Sequence, residues 1–229
     1  MSWKNLQEIT SLRLPKEIPG LHHRSDLHLS RKLFHMSGAI ILLVPYLVFH
    51  AQRETIAAIL GAVLAMSMSL EYMRSRSEWV NSVVVRAMGP IMRDTEINEL
   101  SGNPFYLASC LFAFLIFPRH ITVLSVLYLA LGDPSSSFFG VLFGRNKIFP
   151  NKSLQGTLGG FFVCAIATFV YLYLYRVGME KILVLSLLGG FAGALSELLP
   201  LNVDDNLAIP IISGFLMYFA FWAANLATS

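Results

Sequence analysis

Asp133 stands inside an apolar run, flanked at four-residue steps by the small residues Gly132, Ser136, Gly140 and Gly144. A short basic loop follows with Arg145, Lys147 and Lys152. It leads into a second cluster, Lys152-Ser153-x-x-Gly156-Thr157-x-Gly159-Gly160. A carboxylate within a membrane span is expensive and marks a functional site by default. Lysine and hydroxyl side chains beside glycine turns are what phosphate oxygens require. The two features together point to phosphoryl chemistry at a membrane.

Other polar groups stand at the ends of apolar stretches. Arg31, Lys32 and His35 open the first, Glu71 closes the second, Glu197 closes the sixth, and Asp204-Asp205-Asn206 precede the seventh. Magnesium favours carboxylate and water ligands and usually binds together with substrate phosphates. Asp133, Asp204 and Asp205 are the candidate metal ligands, with Glu71 and Glu197 as further carboxylates. Arg31, Lys32 and Lys152 can neutralise phosphate oxygens. Gly144, Ser153, Gly156 and Thr157 are candidates for close phosphate contact. Each has a plainer reading beside it: anchoring at a span entrance for Arg31 and Lys32, packing for His35, a helix N-cap for Ser153. For the glycine stripes, including Gly189 and Gly193, the plainer reading is close helix packing.

The elements that must position these groups are membrane helices. The chain has 229 residues, 55% hydrophobic and 14% charged, where a soluble domain carries about 25% charged residues. Mean hydropathy is +0.61. Apolar runs long enough to cross the bilayer occur at about 33–50, 54–72, 103–118, 120–143, 155–175, 181–199 and 207–226. This predicts an all-α, polytopic membrane bundle of about seven spans. Residues 1–30 read as a cytoplasmic tail, and 31–229 as a transmembrane catalytic domain. An amphipathic segment at about 73–102 is expected to lie on the cytoplasmic face. Thirteen of the seventeen Lys and Arg residues fall on the side of the N-terminus. That bias predicts a cytoplasmic N-terminus and a site facing the cytoplasm. Cys110 and Cys164 lie in apolar runs without metal-ligand spacing. A net charge of +3 is too small to argue for nucleic acid. No internal repeat supports an inverted-repeat transporter, and the polar groups gather on one side only.

Asp133 precedes Gly144 by eleven residues, about 16 Å of helix, which places it deep in the fourth span. Pro134 follows it, and a residue before proline is pushed out of the helical region. Asp is a good N-cap and proline a good first helical residue. The expectation is a helix broken at Gly132-Asp133, with a half-helix beginning at Pro134. Pro210 is an expected kink in the seventh span.

Four motifs in order resemble the polytopic CTP-dependent lipid kinases, the family of dolichol, phytol and CTP-dependent diacylglycerol kinases. They are Arg31-Lys32-Leu33-Phe34-His35; Gly132-Asp133-Pro134 with Gly140 and Gly144; Lys152-Ser153-x-x-Gly156-Thr157; and Asp204-Asp205-Asn206-Leu207-x-Ile209-Pro210. The resemblance spans about Arg31 to Gly214. It implies transfer of the γ-phosphate of CTP to a lipid alcohol (a polyprenol, phytol or diacylglycerol) with a divalent metal. It also implies active-site positions at Arg31, Lys32, Asp133, Gly140 and Lys152. Ser135, Ser136 and Ser137 stand where relatives commonly have alanine. Phosphatidate cytidylyltransferases, which make CDP-diacylglycerol, are similar around the Lys-Ser and glycine clusters. Their C-terminal His-Gly-Gly and Asp-Arg-x-Asp signature is absent, and Asp204-Asp205-Asn206 stands in its place.

Overall fold

Within a bilayer the peptide groups have no water to bond, so a chain of this composition must satisfy them in helices. The computed structural model describes residues 29–201 and 203–226. The expected tail at 1–30 lies outside the described residues except for Leu29 and Ser30. The helices are α1 (Leu29–Leu47), α2 (Arg53–Arg76), α3 (Glu78–Met88), α4 (Gly102–Ile116), α5 (Arg119–Leu127), α6 (Asp133–Phe143), α7 (Leu154–Leu174), α8 (Met179–Leu198) and α9 (Asp205–Ala223). Two short 3-10 turns, Gly89–Ile91 and Asp94–Ile97, join α3 to α4. A two-stranded antiparallel ribbon, β1 (Lys147–Phe149) and β2 (Lys152–Ser153), joins α6 to α7. The fold is the expected all-α membrane bundle; the ribbon is an addition that the hydropathy pattern does not signal.

Among the described residues five segments are long and apolar enough to cross a membrane: α2, the continuous rod Arg119–Phe143, α7, α8 and α9. Helix α4 is apolar but has 15 residues. Helix α1 covers the first expected span and carries Arg31, Lys32 and His35 in its first two turns; it is not among the five. Within the stretch 73–102, eleven residues form α3. The chain beyond it turns back into the bundle, which buries Met92 and Glu96.

The break expected at Gly132-Asp133 is absent. Gly132 (φ −67°, ψ −53°) and Asp133 (φ −59°, ψ −50°) are both helical. A π-turn, Tyr128–Gly132, links α5 to α6, and the Asp133 N–H donates to the Tyr128 carbonyl five residues back. Proline in a helix lacks a donor and crowds the carbonyl four residues earlier, here that of Ala130. One wide turn relieves that crowding without ending the rod, and such turns recur at functional sites. Asp133 is therefore not the N-cap of a half-helix.

Lipid tails are as apolar as leucine, so close van der Waals contact, not water exclusion, drives helix association here. The glycine stripes supply it. A Cβ on Gly156 would stand 2.7 Å from the Ser136 carbonyl and 3.1 Å from the Gly140 Cα, so α6 and α7 meet backbone to backbone. Gly190 and Gly193 admit Ala165 and Cys164 of α7 against α8 in the same way. Buried Tyr128 reaches across to Thr168, 2.6 Å between their oxygens. This packing places the first turn of α7 beside α6, and with it Ser153.

Gly156→Val should therefore overpack the α6–α7 contact and cost about 1–3 kcal/mol. Gly61, where an added Cβ would meet no atom within 4 Å, should accept alanine without loss. Thermal melting of the two purified variants in one detergent checks this: Gly156→Val melts lower than wild type, and Gly61→Ala does not.

Candidate active site

Chemistry collects at one end of the bundle because each helix delivers a polar residue from its terminus there. Helix α1 begins with Arg31 and Lys32, α7 with Lys152 and Ser153 just ahead of it, and α9 with Asp204 and Asp205; α8 ends with Glu197. At the other end Arg53 and Arg119 bond the carbonyls of Phe114 and Tyr46.

The centre of this end is Arg31, 6% exposed. Its Nη1 donates to Glu96 Oε1 at 2.5 Å. Glu96 also accepts the backbone N–H groups of Gly102 (3.3 Å) and Arg93 (3.2 Å). Charge-assisted bonds of this kind are the strong ones, and three of them fix the Glu96 carboxylate and its partners in place. Nη2 of Arg31 is buried with no hydrogen-bond partner among the described residues. It lies against Gly102, where any side chain would collide with it. Asn206 sits in the same corner and donates from Nδ2 to the Gly102 carbonyl at 3.3 Å.

Lys32 Nζ and Ser136 Oγ are likewise buried without a partner among the described residues. Asp133 lies near enough to feel the charges of Asp205, Lys32, Arg93 and Arg31. Buried donors are normally bonded. Two unpartnered cationic donors near a half-buried carboxylate suit an anion rich in acceptor oxygens, whereas the Ser136 hydroxyl is packed against Gly160 of α7. The rest of the rim is ionic. Lys152 donates to the Glu197 carbonyl and lies 3.6 Å from the Glu197 carboxylate and 3.7 Å from that of Asp205. Arg93 stands 3.6 Å from Asp204, which caps α9 by accepting the Asn206 N–H at 2.9 Å. A polar recess of ≈220 Å³ opens here, lined by Arg93, the ribbon tip Phe149–Lys152, and the α8–α9 turn with Asp204 and Asp205.

The structure thus brings together Arg31, Lys32, Asp133, Lys152, Glu197, Asp204, Asp205 and Asn206 from well-separated stretches of sequence. Ser153 caps α7, accepting the Gly156 N–H at 3.2 Å, and Thr157 donates to the Ser153 carbonyl at 3.1 Å. Gly140 and Gly144 approach the Ser153 hydroxyl, so this group of candidates supports the start of α7. Glu71 is tied to Arg74 (2.8 Å) and accepts from Ser101 (2.7 Å). His35 packs on Tyr106, ring centroids 4.9 Å apart. Both line the flank of Arg31 that faces α2 and the start of α4.

Two residues central to the geometry, Arg93 and Glu96, look in the sequence like charges on an amphipathic surface segment. Their spacing carries no sign that the turn enters the bundle. Ser136 looks like a small packing residue, and only its burial singles it out.

Among the described residues no three His, Cys, Asp or Glu side chains converge as a metal cage. Asp204 is engaged by Arg93 and its helix cap. Of the three candidate metal ligands, Asp133 and Asp205 lie near enough to feel each other's charge, and Asp205 also lies 3.7 Å from Lys152.

No known family model matches the chain, and no solved structure matches it. CTP-dependent diacylglycerol kinase 1 of Schizosaccharomyces pombe is 33% identical over 202 residues, covering 82% of this chain and 91% of that protein. The enzyme of the same name from Saccharomyces cerevisiae is 30% identical over 207 residues, 82% of this chain and 71% of that one. A probable chloroplastic phytol kinase 1 of Glycine max is 27% identical over 208 residues, 84% of this chain and 67% of that one. With the apolar bundle, these likenesses show that the chain belongs to the CTP-dependent lipid kinases, as a multi-pass membrane enzyme of that family.

Proposed function

We propose that this enzyme transfers the γ-phosphate of CTP to the hydroxyl of diacylglycerol, giving phosphatidate and CDP. The observation that carries the reading is the pair of buried, unpartnered cationic donors, Arg31 Nη2 and Lys32 Nζ, whose charges reach Asp133. Diacylglycerol is preferred over phytol as acceptor because the relatives named for it are the more similar ones.

Phosphoryl transfer asks a protein mainly for positioning and charge neutralisation. The nucleotide enters by the polar recess, where Arg93 and Lys152 can meet phosphates once Asp204, Asp205 and Glu197 share them. Arg31 and Lys32 donate to the oxygens of the transferred group. The alcohol oxygen attacks the γ-phosphorus, the bond to the β–γ bridging oxygen breaks, and CDP leaves. Asp133 accepts the alcohol proton. Asp133 and Asp205 are the residues that would hold a divalent cation, whose chemistry is to neutralise charge on the β- and γ-phosphates. The recess faces the cytoplasm in this reading, since Arg93 and Lys152, which line it, belong to the thirteen basic residues on the side of the N-terminus.

The reaction is tested with purified protein, diacylglycerol in mixed micelles, and CTP labelled at either the α- or the γ-phosphate. Label should reach lipid from the γ-position only. Lipid labelled from the α-position would make the enzyme a cytidylyltransferase.

Three variants test the roles at matched expression. Asp133→Asn removes the proton acceptor and should lower kcat at least about a hundredfold. Lys152→Ala removes a charge-assisted bond of about 1.5–3 kcal/mol, a roughly ten- to hundredfold loss in kcat/KM for CTP. Lys147, exposed on β1, serves the charge bias equally well, so Lys147→Ala should lose less than about threefold. Equal losses at 147 and 152 would reduce the loop to general charge.

Orientation is read by labelling. Cys110 and Cys164 are buried, so an engineered thiol reports with little background. Asn151→Cys should react with an impermeant maleimide from the cytoplasmic side only, and Arg176→Cys from the opposite side only.

A further inference from the structure

The reaction chemistry accounts for one flank of Arg31. Its other flank borders a cavity of ≈690 Å³ between α1, α2, α3 and the start of α4. The cavity exists because α2 is buried only at its ends, with Leu64 half-buried against the core and the Asn103 amide 3.5 Å from the Ser67 hydroxyl between them. Ile56, Ala57 and Leu60 are buried at one end and Glu71 and Arg74 at the other; no residue of 61–70 between them is buried. The middle of α2 stands away from α1 and leaves a gap.

The walls of this gap are apolar and pliant. Val63, Met66, Leu70 and Met73 come from α2, Val84 and Met88 from α3. Unbranched, polarisable methionine adapts to irregular apolar guests. Charged lining is confined to one end, at Arg31, Glu71, Arg74 and Glu96. Most of it is engaged: Arg74 by Glu71, Asn81 and the Glu96 carbonyl, Glu71 by Arg74 and Ser101, Glu96 by Arg31 and two backbone amides. Arg31 Nη2 alone among these charged groups is buried without a partner among the described residues. A long apolar chamber with one available donor at its end is complementary to a molecule that is hydrocarbon along its length and hydroxyl at its tip. Its volume lies within the range of about 300–1,000 Å³ typical of ligand pockets.

We propose that this cavity is the acceptor site, taking the hydrocarbon of diacylglycerol with its free hydroxyl at Arg31. The assignment rests on the lipid-kinase reading above and adds to it where the alcohol waits. Successive helix residues point about 100° apart, so Arg31 borders the lipid chamber while Lys32 faces Asp133. The acceptor and the nucleotide then approach Arg31 from opposite flanks, and the hydroxyl meets the γ-phosphate there.

The full-length enzyme in lipid nanodiscs tests this with Val63→Trp and Val84→Trp, which fill the chamber far from the nucleotide recess. Each should raise KM for dioleoylglycerol roughly tenfold or more while leaving KM for CTP within about twofold. Dioctanoylglycerol, with shorter tails, should be affected less. Unchanged KM for both lipids in variants with wild-type CTP affinity would overturn the proposal. Photocrosslinking the wild type with a diacylglycerol carrying an acyl-chain diazirine is independent of variant folding. Label should fall on peptides of Val63–Met73 and Val84–Met92 and be displaced by excess diacylglycerol. Label that excess diacylglycerol does not displace would assign the chamber to bulk lipid. Label appearing there only after deletion of residues 1–28 would assign it to the N-terminal segment. Either result overturns the proposal. Lipid phosphate formed with label elsewhere sinks the site alone, whereas label in the chamber without lipid phosphate sinks the reaction and leaves the site standing.

Discussion

The end of the bundle that carries the chemistry depends on one buried ion pair, Arg31 with Glu96. Its two residues are 65 positions apart, and it ties the first turn of α1 to the 3-10 turn before α4. Through the Glu96 carbonyl and Arg74 it also reaches α2. Breaking a buried pair on one side leaves an uncompensated charge, a penalty of about 3–5 kcal/mol. The pair is held by more than attraction, because two backbone N–H groups also point at Glu96. With Nη1 so fixed, the planar guanidinium has no freedom to turn Nη2 toward water. A donor kept dry and unpartnered adds little stability to the protein alone. Its place is understandable only if another molecule completes it.

Asp133 shows a second constraint of the same kind. A carboxylate this deep in a rod of 25 residues would be costly against lipid. Gly132 and Ser136 beside it are buried against α7, and the π-turn shifts the register of everything that follows. In a regular helix the i−4 carbonyl would stand where the Pro134 ring must go. The wide turn solves the proline problem and rotates Asp133 in one move, so a single local irregularity serves both backbone and site. Close approach at Gly140 and Gly156 then sets the distance from that rod to α7. Any side chain at Gly156 would push Ser153 and Lys152 away from the α5–α6 rod.

Much of this is legible from residue types and spacing. Hydropathy finds the helices, and the lone intramembrane carboxylate with the Lys-Ser-Gly cluster finds the centre of the site. The small-residue stripes mark the contacts that hold it together. Three things are hidden, each for a physical reason. Gly132-Asp133-Pro134 satisfies the rules for a helix start, and those local rules do not register that a packed rod can absorb proline by a wide turn. Arg93 and Glu96 sit in a segment whose mixture of charge and apolar residues suits a membrane surface equally well; their burial comes from long-range contact with α1 and α9. The gap beside α2 is invisible to periodicity because α2 is apolar on all sides, and a lipid-facing residue reads like a cavity-facing one.

Adjacent residues on α1 have different surroundings, as helix geometry requires. One residue step turns a side chain by about 100°, so Arg31 borders the apolar cavity while the charge of Lys32 reaches Asp133. A kinase for a membrane alcohol faces a competition that a soluble kinase meets less acutely, since its acceptor hydroxyl is dilute at the bilayer edge and water is abundant at the nucleotide. Placing the transferred group between a dry chamber and an ionic mouth addresses it. The mouth is ionic, with Arg93, Lys152 and the three carboxylates around them, while the walls of the chamber are apolar away from its Arg31 end. On this view selectivity for the lipid is a consequence of where Arg31 is buried. The Arg31–Glu96 pair that anchors the fold and the boundary that excludes water are then one structure, and loosening the pair would admit water before it unfolded the protein.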